Sequence, residues 1–155
     1  MNNFRKFIVY LPLVLILLVL SFRSSVLAAD IILKDLHGQE VNLSSENGKP
    51  TILFFWTTWC HFCRNEIKAL NQNYERMEND GINVFAIDIG EPKYRVENFY
   101  ENNMLNFKVL LDEHGLAADE YDVMGVPTYI FLDKSGKIIS RGNNLPQDYK
   151  ALLSK

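Results

Sequence analysis

The sequence predicts an α/β domain: a mixed central β-sheet covered by helices on both faces, led by a small N-terminal β-hairpin. Three observations carry that expectation. Residues 51–55 form an unbroken apolar run rich in strand formers, and helical spacing at Ile67, Leu70 and Tyr74 follows within a dozen residues. The alternation of strand and helix is then repeated along residues 83–121. Residues 128–154 close the chain with two strands about a tight turn and a last helix. With 155 residues, of which 48% are hydrophobic, the chain can bury one sizeable core. No linker, charge block or internal repeat divides it, so residues 30–155 read as one domain.

Taken in order, residues 31–43 read as two short strands about a His37-Gly38 turn. A loop over 44–50 leads into the run 51–55, which suits a central strand buried on both faces. After a loop over 56–59, a helix is expected to open at Cys60 and run to about Asn79, with Gly81 just past its end. Residues 83–88 predict a strand, Gly90-Glu91-Pro92 a break, 94–101 a helix, 107–111 a strand and 116–121 a short helix. The strands 128–132 and 137–140 should pair as a hairpin about 133–136. Residues 145–154 predict the final helix, with Pro146 in its first turn.

The N-terminus differs in composition. Arg5 and Lys6 precede an uncharged apolar run over 7–22, which closes on Val26-Leu27-Ala28-Ala29. That is the form of a secretion signal. The small residues favour cleavage near Ala28, whereas Arg23 could cap a short retained anchor, so residues 1–29 are expected to be a signal peptide or an N-terminal membrane anchor. Basic residues ahead of the run hold the N-terminus in the cytoplasm and send the remainder across the membrane in either case. The formal charge is −3, and it becomes more negative without Arg5, Lys6 and Arg23, which argues against a nucleic-acid partner.

The chain has two cysteines, Cys60 and Cys63. A bridge closing so short a loop removes little unfolded-chain entropy and would be a poor structural staple; it is better suited to being made and broken. The pair also falls where a buried strand hands over to a helix start, whose unpaired amides and dipole favour a thiolate over a thiol. Cys60 should therefore have a lowered pKa, and Cys63, further into the helix, should be better shielded. On that geometry Cys60 attacks a disulfide and Cys63 resolves the mixed disulfide. A metal site is the competing reading of this motif, but structural zinc needs four ligands and only His61 lies near to supplement the sulfurs.

Residues 55–63, Phe-Trp-Thr-Thr-Trp-Cys-His-Phe-Cys, together with Gly125-Val126-Pro127-Thr128 ahead of a strand and the Gly48-Lys49-Pro50 lead into the first core strand, resemble the thioredoxin superfamily. Within it, the chain is similar to the exported TlpA/ResA/CcmG-like group of thiol:disulfide oxidoreductases with a redoxin or AhpC/TSA-like domain, over nearly all of residues 31–155. The resemblance implies a thioredoxin fold, a redox disulfide between Cys60 and Cys63, no cofactor, and a cis Pro127 facing the sulfurs. A cis peptide there would turn the Val126 backbone toward the site to pair with an extended substrate, with Val126 and Thr128 as binding residues. It also implies protein disulfides as substrates, apocytochrome c among them, and a membrane electron donor.

Further residues carry two readings each. Glu66 lies one turn after Cys63; the resemblance implies that it handles the second sulfur's proton, and the alternative is a carboxylate that merely suits the helix start. A protonated His61 would favour the Cys60 thiolate and make the protein more oxidising, while a neutral, solvent-pointing one would do little. Trp59 and Phe62 are expected to form an apolar rim for docking a partner, although Trp59 could instead pack beneath the loop. His37 and His114 read as surface residues. The chain departs from the family at Lys68, where many such helices carry a kinking proline, and at Phe54, where thioredoxins proper keep a buried aspartate. Rival functions are a disulfide-donating oxidase, a metal-binding module using Cys60, Cys63 and His61, and a thiol peroxidase.

Overall fold

The computed structural model describes residues 31–43 and 48–153. The expected signal or anchor over 1–29 lies outside the described residues. Among the described residues seven strands form one sheet: β1 (Ile32–Asp35), β2 (Glu40–Asn42), β3 (Thr51–Trp56), β4 (Asn83–Ile89), β5 (Val109–Asp112), β6 (Thr128–Leu132) and β7 (Ile138–Gly142). Among the described residues four helices accompany them: α1 (Cys63–Asn79), α2 (Lys93–Asn102), α3 (Leu116–Glu120) and α4 (Tyr149–Leu153). The strand order is β2-β1-β5-β4-β3-β6-β7.

All six residues of β3 are buried, because the strand lies inside the sheet and is covered on both faces. It runs parallel to β4, with Trp56 opposite Asp88, and antiparallel to β6, with Phe54 opposite Tyr129. The Phe54 and Tyr129 rings stack with centroids 4.5 Å apart, so Phe54 is a packing residue. One sheet face takes Phe54 and Trp56 and is covered by α1, α2 and α4 through Ile67, Leu70, Met77, Val96, Tyr149 and Leu153. The other takes Leu53 and Phe55 and is covered by α3 through Ala117 and Ala118. Each large apolar side chain so buried contributes roughly 1.5–3 kcal/mol of transfer free energy. The leading hairpin pairs β1 with β2 as expected and joins the sheet by packing β1 antiparallel to β5.

Two helix starts differ from expectation. α1 begins at Cys63 instead of Cys60, so Cys63 is the first helical residue, not one a turn inside. The reason is local: the Cys63 amide donates to Cys60 Sγ, and residues 57–62 are spent in two turns, Cys60 N to Thr57 O and Arg64 N to His61 O. The last helix begins at Tyr149 instead of 145. Leu145 gives its amide to the Glu66 carboxylate and Pro146 has none, so the chain is tied across to α1 before it can coil. β5 and β7 each start one or two residues later than expected.

Candidate active site

The parallel strands β3 and β4 end side by side, and the crevice beyond such carboxyl ends is where open α/β sheets place their ligands. β3 delivers the turn 57–60 and the two sulfurs there. Cys60 and Cys63 form a disulfide with Cα atoms 5.3 Å apart. Cys60 is 5% exposed and Cys63 fully buried, so an incoming partner meets Cys60 first. The Cys63 amide, 3.1 Å from Cys60 Sγ, is a donor in place for a Cys60 thiolate.

From the opposite side, the loop before β6 brings up Val126-Pro127, joined by a cis peptide bond. The Val126 carbonyl oxygen lies 3.8 Å from Cys60 Sγ. Thr128 turns its hydroxyl back to the Gly125 carbonyl at 2.7 Å, closing this loop. Asn143, just after β7, donates to the Pro127 carbonyl at 2.9 Å and steadies it from the other side. Around the sulfurs Trp59 is 69% and Phe62 75% exposed, an apolar rim without a cover, and Trp59 does not pack beneath the loop. His61 is also exposed, with its ring edge toward Phe62.

Glu66 is half-buried, and its carboxylate accepts the Leu145 amide at 2.8 Å, a contact the sequence did not reveal. The Tyr129 hydroxyl lies 3.5 Å from the Glu66 main-chain oxygen; burial first, then the Glu66 charge, push that phenol well above its ordinary value. Lys68 is exposed on an unbroken α1 and lines a groove of about 520 Å³ with Arg64, Asn71 and Asn103. Among the described residues no cluster of three His, Cys, Asp or Glu side chains is placed to hold a metal.

Sequence reasoning missed the acids behind the redox turn. Glu91, 4% exposed, accepts the Thr58 amide at 2.6 Å and the Thr58 hydroxyl at 2.8 Å. Arg95, in the first turn of α2, approaches the same carboxylate at 3.5 Å. Asp88 is fully buried in β4, and neither of its oxygens meets a donor in good geometry. Burial first, then hydrogen bonding to Glu91 and its charge, push Asp88 up to about 8. The signal was available: an aspartate inside an apolar strand, followed three residues on by another acid at the strand's carboxyl end. Met124, 97% exposed two residues ahead of Val126, was missed as well.

A reversible disulfide set at the end of the central strand, with a cis-proline loop against its outer sulfur, defines a thioredoxin-fold thiol-disulfide oxidoreductase. The chain belongs to the AhpC/TSA family, which matches residues 26–141. The thiol-disulfide oxidoreductase ResA of Geobacillus thermodenitrificans is 36% identical over 128 residues, covering 81% of this chain and 74% of that protein. Among solved structures, a putative thiol:disulfide interchange protein DsbE from Chlorobium tepidum matches with a TM-score of 0.70 at 29% identity, over 81% of this chain and 89% of that one. StoA from Bacillus subtilis shares the fold with a TM-score of 0.71 at 24% identity, over 83% of this chain and 98% of that one.

Proposed function

We propose that this thiol-disulfide oxidoreductase works outside the cytoplasmic membrane as a reductant of selected protein disulfides, with apocytochrome c in its substrate class. The observation that supports this best is the asymmetry of the sulfurs: Cys60 keeps 5% exposure and has an amide donor at 3.1 Å, while Cys63 is sealed behind it. In the reduced protein the Cys60 thiolate attacks a substrate disulfide, forming a mixed disulfide and releasing one substrate thiolate. Cys63 loses its proton and attacks Cys60 Sγ, which breaks the mixed bond and releases the second substrate sulfur. Two electrons have then passed to the substrate, and the Cys60–Cys63 bridge is closed.

We assign the Cys63 proton to Glu66, one turn along α1, with the Leu145 amide steadying the carboxylate. Val126 and Thr128, on either side of Pro127, offer main-chain groups to an extended substrate segment, while Trp59, His61 and Phe62 form the surface it docks on. A membrane donor returns the electrons, and residues 1–29 supply export, either as a cleaved signal or as a tether. A redox titration against glutathione tests the direction. A potential toward the reducing end of known couples, about −200 mV or below, is expected; one near about −120 mV would assign the protein to disulfide donation instead.

A further inference from the structure

We propose that Glu91 is a positioning residue of the redox site: its carboxylate holds the turn that presents Cys60, and its charge keeps Cys60 a weaker acid than the helix start alone would make it. The proposal concerns the exchange chemistry itself and holds whichever way the electrons run.

The geometry begins with the clamp. Both Glu91 oxygens are used on one residue, the amide and the hydroxyl of Thr58, which is two positions before Cys60. Thr58 lies within the turn that Thr57 O closes onto the Cys60 amide at 3.3 Å. The position of Cys60 between the Cys63 amide and the Val126 carbonyl is therefore tied to an acid thirty-one residues further on. A carboxylate accepting a short main-chain N–H bond in a buried setting is a strong, oriented contact.

Charged and polar groups surround this acid from three sides. On β4, Asp88 faces it from a fully buried position, and held as a neutral acid it becomes the donor that its own oxygens lack. From α2, Arg95 approaches Oε1. From β3, Trp56 and Thr57 contribute no charge, but the Trp56 indole N–H and the Thr57 hydroxyl are also buried without a partner. The side chains left with unpaired buried polar atoms among the described residues are thus Trp56, Thr57 and Asp88, all at the ends of β3 and β4 behind the sulfurs. A core that leaves polar atoms unpaired in one place, next to a doubly bonded acid, concentrates its cost where the chemistry is.

The Glu91 charge opposes the Cys63 amide and the helix start in setting the acidity of Cys60. A negative group near a thiol disfavours its thiolate. A less acidic nucleophile stabilises the reduced form less, which poises the pair toward giving electrons.

The test uses the full chain with Glu91→Gln and Asp88→Asn, measuring alkylation of Cys60 by iodoacetamide as a function of pH alongside thermal unfolding. Glu91→Gln is expected to move the Cys60 profile about half a pH unit lower, seen as roughly threefold faster alkylation near neutrality. Asp88→Asn, which mimics the neutral acid, should leave the neutral-pH rate within about twofold and remove any inflection near pH 8. A Glu91→Gln protein that melts lower but keeps the wild-type profile would reduce Glu91 to a structural role and overturn the proposal. A second variant gives an independent reading should that one fail to fold. Arg95→Gln, which removes the cation 3.5 Å from the Glu91 carboxylate, is expected to slow Cys60 alkylation near neutrality; an unchanged or faster rate would overturn the proposal equally.

Discussion

Cys60 and Cys63 are alike as residues and unlike in place: one lies 5% exposed with an amide donor on its sulfur, the other is fully buried, and the proposed roles follow that difference. The pair was legible because its spacing and its seat after an apolar strand are local features. Asp88 and Glu91 stood out only as acids in and after an apolar strand, and their place behind the redox turn was not legible, because only the parallel pairing of β3 with β4 carries them there. Asp88 gives a stability prediction of definite sign. Its folded pKa of about 8 exceeds the ordinary 3.8, so the folded state holds the proton more tightly. The stability linked to it is complete below about pH 4, is lost as pH rises toward 8, and is level above that. Asp88→Asn should therefore be more stable than wild type at pH 8 by up to a few kcal/mol, with the gap closing toward pH 4; urea unfolding at several pH values measures it. A gap that does not change with pH would show that Asp88 is charged throughout. At the rim, Phe62→Ala should raise KM for a protein disulfide severalfold and leave turnover of a small disulfide unchanged, since the ring is exposed and supports no core contact. Steady-state kinetics on both substrates checks this.

The elements follow their sequence signals most closely where burial is heaviest. The run through Phe54 and Phe55 became a central strand with no exposed position, and Ile67 and Leu70 face the core from α1 as their spacing required. The differences occur where side chains or sulfur take over main-chain hydrogen bonds. Cys60 Sγ takes the Cys63 amide and delays α1, and Glu66 takes the Leu145 amide and delays α4. Neither capture could be read from propensity, because each depends on a partner fixed by the tertiary fold. The connection from β4 to α2 is more sharply determined. Gly90 has φ of 72° and donates to the Asp112 carbonyl at 3.0 Å, which turns the chain so that Glu91 points back at Thr58. There is open space for a Cβ at Gly90, so Gly90→Ala tests the backbone conformation alone. It should cost about 1 kcal/mol, or a few degrees in melting temperature, with reduced exchange activity as the Glu91 contact is disturbed. An unchanged melting temperature and activity would show that the turn does not constrain Glu91.

Across the whole molecule, the sheet brings three separate parts of the chain to one end of its central strands: the redox turn after β3, the acids at the end of β4, and the cis-proline loop before β6. The resemblance carried by residues 55–63 and 125–128 anticipated the first and third, and the family match and the fold agree with it. The β4 acids lie outside those motifs, which is why the supporting side of the site came only from the structure. Among the described residues no helix is long and apolar enough to cross a membrane. The central claim is that Cys60 makes the bond to the partner and Cys63 breaks it, and trapping tests it most directly. With Cys63→Ser in the full chain, incubation with a disulfide-bonded protein substrate should accumulate a covalent complex joined through Cys60, released by dithiothreitol and located by mass spectrometry. If that variant turns substrate over without a trapped complex, or if Cys60→Ser traps in its place, the assigned roles are contradicted.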